Sequence, residues 1–276
     1  MLTSAETPTP QTGQAALEVS LVFGQSTVTS AFSSSPMKLL TPVSRGKSVR
    51  ACTSSFGGGL VAGDQTRLDL HLGTGARCFL GSQSSTKIYR NPGRLPCSHT
   101  THAQLDAESL LVFAPDPVQA FADSHYTQRQ EFHLESGAGL VLLDWFTSGR
   151  AACGERWAFA HFESRNDVFL GGDRAFVDPV LLSADEVPER MGRFNCLATL
   201  LVIGAQLKSV TDALLGTIAL RPVGKRAALA CSASAVRAGA LLRVAGESVE
   251  AVRQELHGHL GFVTELLGED PWARKW

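Results

Sequence analysis

The feature that most constrains the fold of this chain is a two-residue alternation of apolar and polar side chains. Within Thr66 to Leu72, leucine alternates with charged residues or histidine. Tyr126 to Glu135 repeats the pattern, with Phe132 and Leu134 on one side and charged or polar residues on the other. Because successive side chains of a strand point to opposite faces, both segments are predicted to be half-buried strands.

Glycines separate these alternating runs from the apolar runs that follow them. Gly73 and Gly75 end the first run, and Gly137 and Gly139 end the second. Glycine readily adopts the positive φ angles that tight hairpin turns need. The sequence therefore predicts a succession of antiparallel hairpins, and no period of about 20 to 50 residues indicates tandem repeats.

The last third of the chain adds helical patterns to this series of strands. Ser209 to Leu220 and Ser248 to Leu267 carry apolar residues at helical spacing. Phe194 to Ile203 is a continuous apolar run, typical of a strand buried on both faces, and the residues around Gly239 are typical of another hairpin. The predicted fold class is mainly β, with many short antiparallel strands in stacked sheets, two helices in the C-terminal third, and a single domain.

Composition limits the classes of partner. Residues 1–16 are rich in Thr, Pro and Gln, so we expect a disordered tail, followed by one β-rich domain over residues 17–276. The 25 basic and 26 acidic residues nearly cancel, which argues against a nucleic-acid partner. Neither a signal-peptide pattern nor an apolar run of about 20 residues is present, so we expect a cytoplasmic protein that does not bind membranes.

Motifs for nucleotide binding and nucleophilic catalysis are incomplete. A phosphate-binding loop needs Lys and then Ser or Thr after its last glycine, whereas Asp64 follows Gly63. The GKS at Gly46 to Ser48 fails because Thr41 stands where the leading glycine is needed. A GxSxG elbow is also missing, so we expect no enzyme. A hydrolase whose Ser, His and Asp meet only in the folded chain is a less favoured hypothesis.

Soft metal ligands are scattered along the sequence. The six cysteines include no CxxC pair, so we expect free thiols, several of them buried. On a strand, Cys97 and His99 would share one face, whereas His102 would point to the other. His257 and His259 lie about 200° apart on a helix and cannot share an ion. Without four clustered ligands, we expect no tightly bound cofactor.

Four carboxylates stand beside glycines or at the ends of predicted strands. In one interpretation, Asp64 and Asp116 shape turns, while Asp144 and Glu155 end strands. In the alternative, these groups line a wet passage of weakly binding oxygen ligands, which a divalent cation crosses without being trapped.

Two glycine-rich or polar segments resemble motifs of the D-type urease accessory proteins, called the H type in some bacteria. Gly57 to Asp64 resembles the family's GGLVGGD signature, and Ser82 to Arg90 resembles its TTQASTKVYR stretch. Two departures are local: Ala62 stands where Gly or Ser is usual, and Gly81-Ser82 replaces Thr-Thr before Gln83.

Further segments resemble the same family in the same order. Asp144 to Arg150, with Gly154 to Trp157, resembles its DW-TSGR and GE-W block, in wording closest to the plant and fungal branch. Phe194 to Gly204 resembles its ATLLL-G segment. The PDPV region of the family resembles Pro115 to Val118, which is followed by Phe121, Tyr126, Gln128 and Gln130.

The resemblance implies a urease maturation factor with many β-strands and two helices. Its expected partners are apo-urease and the F-type accessory protein, which in turn recruits the G-type GTPase. Nickel would be in transit through an internal tunnel, and the expected path residues are Asp64, Asp144 and Glu155. The other motif residues are expected to be structural or to lie at interfaces: Gly58, Gly59, Gly63, Gln83, Lys87, Tyr89, Asp116, Pro117, Trp145, Gly149 and Arg150.

Two expectations make this interpretation testable. Asp64→Ala is predicted to leave folding intact and to lower urease activation, and truncation before Glu247 is predicted to impair solubility or partner docking. The alternative function is a stand-alone nickel-binding or storage protein, which would need clustered imidazole or thiolate ligands. Only Cys97 and His99 are candidates for such a cluster.

Overall fold

Strands make up most of the regular structure, as the alternating patterns predicted. The computed structural model describes residues 12–222 and 224–273. The first strands are β1 (Thr12–Val22), β2 (Gln25–Ser33), β3 (Met37–Leu40), β4 (Val49–Ser55), β5 (Gly59–Leu60), β6 (Gln65–Leu72), β7 (Arg77–Ser82), β8 (Thr86–Ile88) and β9 (Cys97–Leu105). The others are β10 (Leu110–Phe113), β11 (Val118–Ala120), β12 (His125–Leu134), β13 (Gly139–Thr147), β14 (His161–Leu170), β15 (Asp173–Ser183), β16 (Cys196–Ile203), β17 (Leu229–Val236) and β18 (Gly239–Gly246).

The chain winds as a three-sided coil. In the first sheet, β1, β6, β9, β12 and β14 lie side by side and parallel. In the second sheet, β4, β7, β10 and β13 are likewise parallel. The short strands β5, β8 and β11 pair in parallel on the third side. One turn of the coil therefore takes a strand from each side and about 30 residues, a structural repeat that the sequence did not reveal.

The predicted hairpins at the glycine turns are wrong for the centre of the fold. Gly75 and Gly137 have positive φ angles of 70° and 74°, as a tight turn requires. However, the strands that flank Gly75, β6 and β7, belong to different sheets. The turn is a corner of the coil, because each strand pairs with the strand one coil turn away. Antiparallel pairing is correct at the ends of the sheets, including the predicted hairpin around Gly239.

Both faces of the second sheet are buried. Leu140 and Leu201 face the first sheet inside the coil, whereas Val141 and Leu200 face the helices. Burial on both faces explains the continuous apolar run of β16, which was predicted to be such a strand. This sheet therefore forms the wall between the interior of the coil and the helical layer.

Four helices occur in the described residues: α1 (Val187–Met191), α2 (Lys208–Ala219), α3 (Val249–His259) and α4 (Phe262–Leu267). The first predicted helix corresponds to α2. The second is divided into α3 and α4, because Leu260 leaves the helical region with φ −95° and ψ 3°. Among the described residues, no helix has both the length and the apolar character that crossing a bilayer requires.

The predicted tail is too long at its C-terminal side. Residues 1–11 lie outside the described residues, but Thr12 already pairs with Gln65 in the first sheet. The small and polar residues of this segment are compatible with a strand, because Ala15 alternates into the core. The β-rich unit therefore begins no later than Thr12.

Candidate functional site

A row of polar side chains crosses the interior of the coil from strand to strand. The register of the first sheet places Thr66, His99, Gln128 and Ser164 beside one another on β6, β9, β12 and β14. In each of these strands every second side chain points into the coil, and these four residues occupy such inward positions. Elsewhere the inward positions hold apolar side chains such as Phe132. The interior therefore contains a polar layer within an otherwise apolar core.

A second polar row runs beside the first, two residues further along β9, β12 and β14. It consists of Thr101, Gln130 and Asn166, and continues to Asp178 on β15. Gln130 Nε2 donates to Asn166 Oδ1 at 2.8 Å. Because burial of polar groups is unfavourable unless they form hydrogen bonds, such contacts keep the layer compatible with folding.

Asp144 reaches this layer from β13 in the opposite sheet. Its carboxylate accepts hydrogen bonds from Gln128 Nε2 at 3.0 Å, Ser164 Oγ at 2.7 Å and Asn166 Nδ2 at 2.9 Å. All three donors are neutral, and in the described part of the chain no Lys or Arg forms an ion pair with Asp144. Burial raises the pKa of Asp144 and the charge of Asp178 raises it further, while the three hydrogen bonds oppose both effects.

Asp178 is a second carboxyl group of the polar rows, and in the part of the chain that the structure describes only one of its two oxygens forms an ion pair. One carboxylate oxygen accepts from Arg243 at 2.5 Å, in an ion pair at the far end of the polar rows. The other oxygen is buried and has no hydrogen-bond partner among the described residues. Among the described residues, Arg243 is therefore the one guanidinium that forms an ion pair with either carboxyl group, that of the partly buried Asp144 or that of the buried Asp178.

His99 is held as a neutral side chain within the first row. Its Nδ1 lies 2.9 Å from Thr66 Oγ1, and its Nε2 lies 3.1 Å from Thr101 Oγ1. Burial lowers the pKa of His99 to about 4. Near neutral pH the imidazole is therefore uncharged and adds no positive charge to oppose a cation.

A cavity of about 80 Å³ connects these groups to the surface. A single water needs only about 10 to 15 Å³ of such space, so the cavity has room for several. Its inner wall includes His99, Gln128, Gln130 and Asp144. Its outer end is lined by hydroxyl side chains: Ser84 is exposed, and Ser54, Ser55, Ser85 and Thr86 are partly exposed.

Of the four carboxylates singled out from the sequence, Asp144 and Asp116 lie on the wall of this cavity. Asp116 was assigned to the structural and interface group. It accepts a hydrogen bond from Ser82 Oγ at 3.1 Å, while its backbone N–H donates to the same oxygen at 2.7 Å. Asp116 therefore combines a turn-shaping role with a place on the cavity wall.

Asp64 and Glu155 occupy other surroundings. Asp64 is buried but does not line the cavity, and its carboxylate accepts from the backbone N–H of Val61 at 3.0 Å. Because Asp64 is buried and holds this partly buried N–H group, we now expect Asp64→Ala to lower the stability of the fold. Glu155 is paired with Arg150, whose hydrogen bond lowers its pKa, and it also accepts from the backbone of Ala122. The structure does not bring Glu155 to the cavity wall.

Several motif residues have evident structural roles. A Cβ at Gly59 would collide with the carbonyl oxygen of Lys87, and Gly149 has a φ angle of 98°. Tyr89 donates its hydroxyl to the carbonyl of Gly57 at 2.7 Å. Trp145 donates its indole N–H to the carbonyl of Pro115 at 2.7 Å.

The remaining motif residues divide by exposure. Gly58 and Gly63 turn the chain at φ angles of 73° and 83°, and Pro117 is buried. Gln83 and Lys87 are exposed, so they are the members of this group that are available to a partner. No contact among the described residues identifies what such a partner is.

The sequence did not single out Ser164, Asn166 and Asp178. Their signal is nevertheless present, because Ser164 and Asn166 fall in the apolar phase of the strand between Phe162 and Val168. A polar residue in that phase is predicted to be buried and hydrogen-bonded. The link to Asp144 could not be predicted, since it depends on which strands face each other.

The coil and its polar interior define a β-rich scaffold with an internal cavity that reaches the carboxyl group of Asp144. The chain belongs to the UreD family of urease accessory proteins, whose model matches residues 11–276. This membership implies a role in urease maturation.

Individual relatives agree with the family assignment. The urease accessory protein UreD of Sorangium cellulosum is 44% identical over 267 residues, covering 96% of this chain and 84% of that protein. The UreD protein of Anaeromyxobacter is 38% identical, covering 98% of this chain and 95% of the relative. The urease accessory protein D of Arabidopsis thaliana is 33% identical, covering 92% of this chain and 98% of the relative.

Proposed function

We propose that this chain is a cytoplasmic, non-catalytic urease maturation factor that helps deliver nickel to apo-urease through the polar passage. It would bind apo-urease and the F-type accessory protein, with the G-type GTPase recruited through the latter. The observation that carries the proposal is the buried carboxylate of Asp144, which faces the cavity and accepts hydrogen bonds from neutral donors alone.

The ligands of the proposed passage would bind a cation weakly enough to release it. Hydroxyl, amide and carboxylate oxygens are hard ligands, which bind nickel less tightly than clustered imidazoles or thiolates do. The negative charge of Asp144 and Asp178 would attract the ion into the coil, because electrostatic interactions are strong at low dielectric. Few other ligands would then hold it, since His99 is already bonded to two threonines.

The two rival functions have weaker support. A storage protein would need clustered soft ligands, but within the described residues Cys97 and His99 belong to no group of three potential ligands. A hydrolase would need a serine hydrogen-bonded to a histidine, whereas Ser164 donates directly to Asp144. Direct nickel titration of the variant His102→Gln/His133→Gln tests the first rival, because storage at Cys97 and His99 requires tight binding that does not depend on the imidazoles removed in this variant.

The role in maturation is tested by reconstitution. Apo-urease, the F-type protein and the G-type protein are mixed with nickel, bicarbonate and GTP, with and without this chain, and urease activity is measured. We expect activation and assembly of the complex to depend on the chain. Full activation in its absence would overturn the proposal.

The passage itself is tested with Asp144→Asn, which removes the charge but keeps the shape of the side chain. We expect the variant to join the complex with apo-urease and the F-type protein but to activate urease at least about tenfold less, as loss of one charge-assisted ligand would predict. Glu163→Gln is the matched control, because Glu163 lies on the outer face of β14, next to Ser164. Normal activation by Asp144→Asn would show that nickel does not depend on this carboxylate.

A further inference from the structure

The outer face of the first sheet carries a second group of potential ligands, on the opposite side of the sheet from the motif residues Gln128 and Gln130. His102 lies on β9, and the register places it directly beside Glu131 on β12. His133 follows two residues after Glu131, so its side chain emerges on the same face. Three potential metal ligands thus meet on two neighbouring parallel strands.

The three side chains already converge on one point. His133 Nε2 lies 2.5 Å from Glu131 Oε1, and His102 Nε2 lies 4.0 Å from the same oxygen. One ligand atom from each residue lies within 4.8 Å of those of the other two. Metal–ligand bonds of about 2.0 to 2.2 Å would place such atoms roughly 3 to 3.5 Å apart, so side-chain rotations of modest size would complete the site.

The charges around this group favour a cation at Glu131 in particular. Along the same row of the sheet, Asp69 is paired with Arg67 at 2.7 Å, and Asp167 is paired with Arg165 at 2.5 Å. In contrast, within the described residues the ion pairs of Glu131 are with the two histidines only. Glu131 is therefore the carboxylate of this row that has no guanidinium to neutralise it.

Packing also orients one of the imidazoles. The ring of His133 stacks on Phe169, with 4.6 Å between the ring centroids and an angle of 4° between their planes. Contacts of this kind limit ring rotation, and a ligand held in place loses less entropy when an ion binds. The side chain of His133 is 28% exposed, so the ring is anchored while its Nε2 still reaches the surface.

We propose that His102, Glu131 and His133 form a surface site for one divalent transition-metal ion, of the nickel, zinc or copper type. Two neutral imidazoles and one carboxylate suit these ions, whereas magnesium and calcium prefer sites built from oxygen alone. Three protein ligands leave at least one coordination position open to water or to a ligand from another molecule.

This surface site is separate from the passage and does not depend on the proposed function. Within β12, Gln130 and Phe132 point into the coil, whereas Glu131 and His133 point outward. The backbone of the first sheet therefore stands between the two sets of ligands. Substitutions can remove one set without touching the other.

Equilibrium dialysis of the purified chain against Zn²⁺ and, separately, Ni²⁺ tests the proposal. The double variant His102→Gln/His133→Gln should bind one ion fewer per chain than the wild type. Glu131→Gln should lower the affinity for that ion by more than about tenfold. Even substitutions outside the set of metal ligands cause losses of affinity of that order. Lowering the pH should weaken binding as well, because protons compete for the imidazoles.

Two controls make the result specific. His71→Gln removes another exposed imidazole of the same sheet, which is paired with Asp106, and should retain the ion. Asp144→Asn alters the passage and should also retain it. Equal numbers and affinities of bound ions in the wild type and the double variant would overturn the proposal, and so would failure of the wild type to bind either metal at micromolar concentrations.

Discussion

Replacement of His99 by glutamine should make the free energy of unfolding less sensitive to acid. Burial lowers the pKa of His99 to about 4, against an ordinary value of 6.5. Between these pH values the unfolded chain binds a proton at His99 and the folded chain does not, so the wild type loses stability as the pH falls. The full difference corresponds to about 3 kcal/mol, of which about 2 kcal/mol is lost between about pH 7.5 and about pH 5.

Glutamine is a suitable replacement because it offers a neutral polar group to Thr66 and Thr101, the two partners of the imidazole. Urea unfolding at the two pH values gives the free energies, with EDTA present to exclude metal effects. The His99→Gln variant should lose about 2 kcal/mol less than the wild type between these pH values. His102→Gln, on the exposed face of the same strand, should follow the wild type. Equal losses for the wild type and His99→Gln would refute the buried, neutral state of His99.

Two further variants test the stability of the fold. Asp64→Ala should lower the free energy of unfolding by about 1 to 3 kcal/mol, because the hydrogen bond from the partly buried N–H of Val61 to the buried carboxylate is lost; an unchanged urea midpoint would contradict this. Truncation before Glu247 removes α3 and α4, whose buried residues Val252 and Leu256 cover the second sheet. The shortened chain should therefore bind a hydrophobic dye or precipitate, and a soluble, cooperatively unfolding product would show that the helices are dispensable.

Local features of the fold could be predicted because they depend on neighbouring residues. Alternation identified β6 and β12, and helical spacing identified most of α2 and all of α3 and α4, the last two as one helix. The continuous apolar run of β16 indicated burial on both faces. Each of these patterns reports the environment of a single element, so no knowledge of its partners was required.

Strand pairing could not be predicted in the same way. A glycine such as Gly75 shows that the chain turns, but an antiparallel hairpin and a corner between two sheets need similar local backbone angles. The choice of a parallel neighbour depends on burial between β6 and β9, which are joined by a long connection. The repeat is also hidden, because the connections between coil turns differ in length and composition.

The same limit applies to the two candidate sites. Asp144 was identified from a motif, but its donors come from β12 and β14 in the opposite sheet. The surface group joins His102 to Glu131 through the register of two strands, which a shift by one residue would abolish. The sequence can thus identify candidate functional residues. Which of them meet around an ion or a cavity depends on the fold.

The polar layer has a cost that bears on its function. An apolar layer in the same place would avoid burying the carboxylate of Asp144 and the unpaired oxygen of Asp178. Hydrophobic layers on either side, such as that of Leu70 and Phe132, show that this coil can be closed with apolar side chains. A folded chain retains an unfavourable buried charge most readily where a transient positive ligand offsets it. The apolar layers of the coil therefore provide its stability, whereas the polar layer has another role. Substitutions in the apolar layers should change the free energy of unfolding, and substitutions in the polar layer should change urease activation.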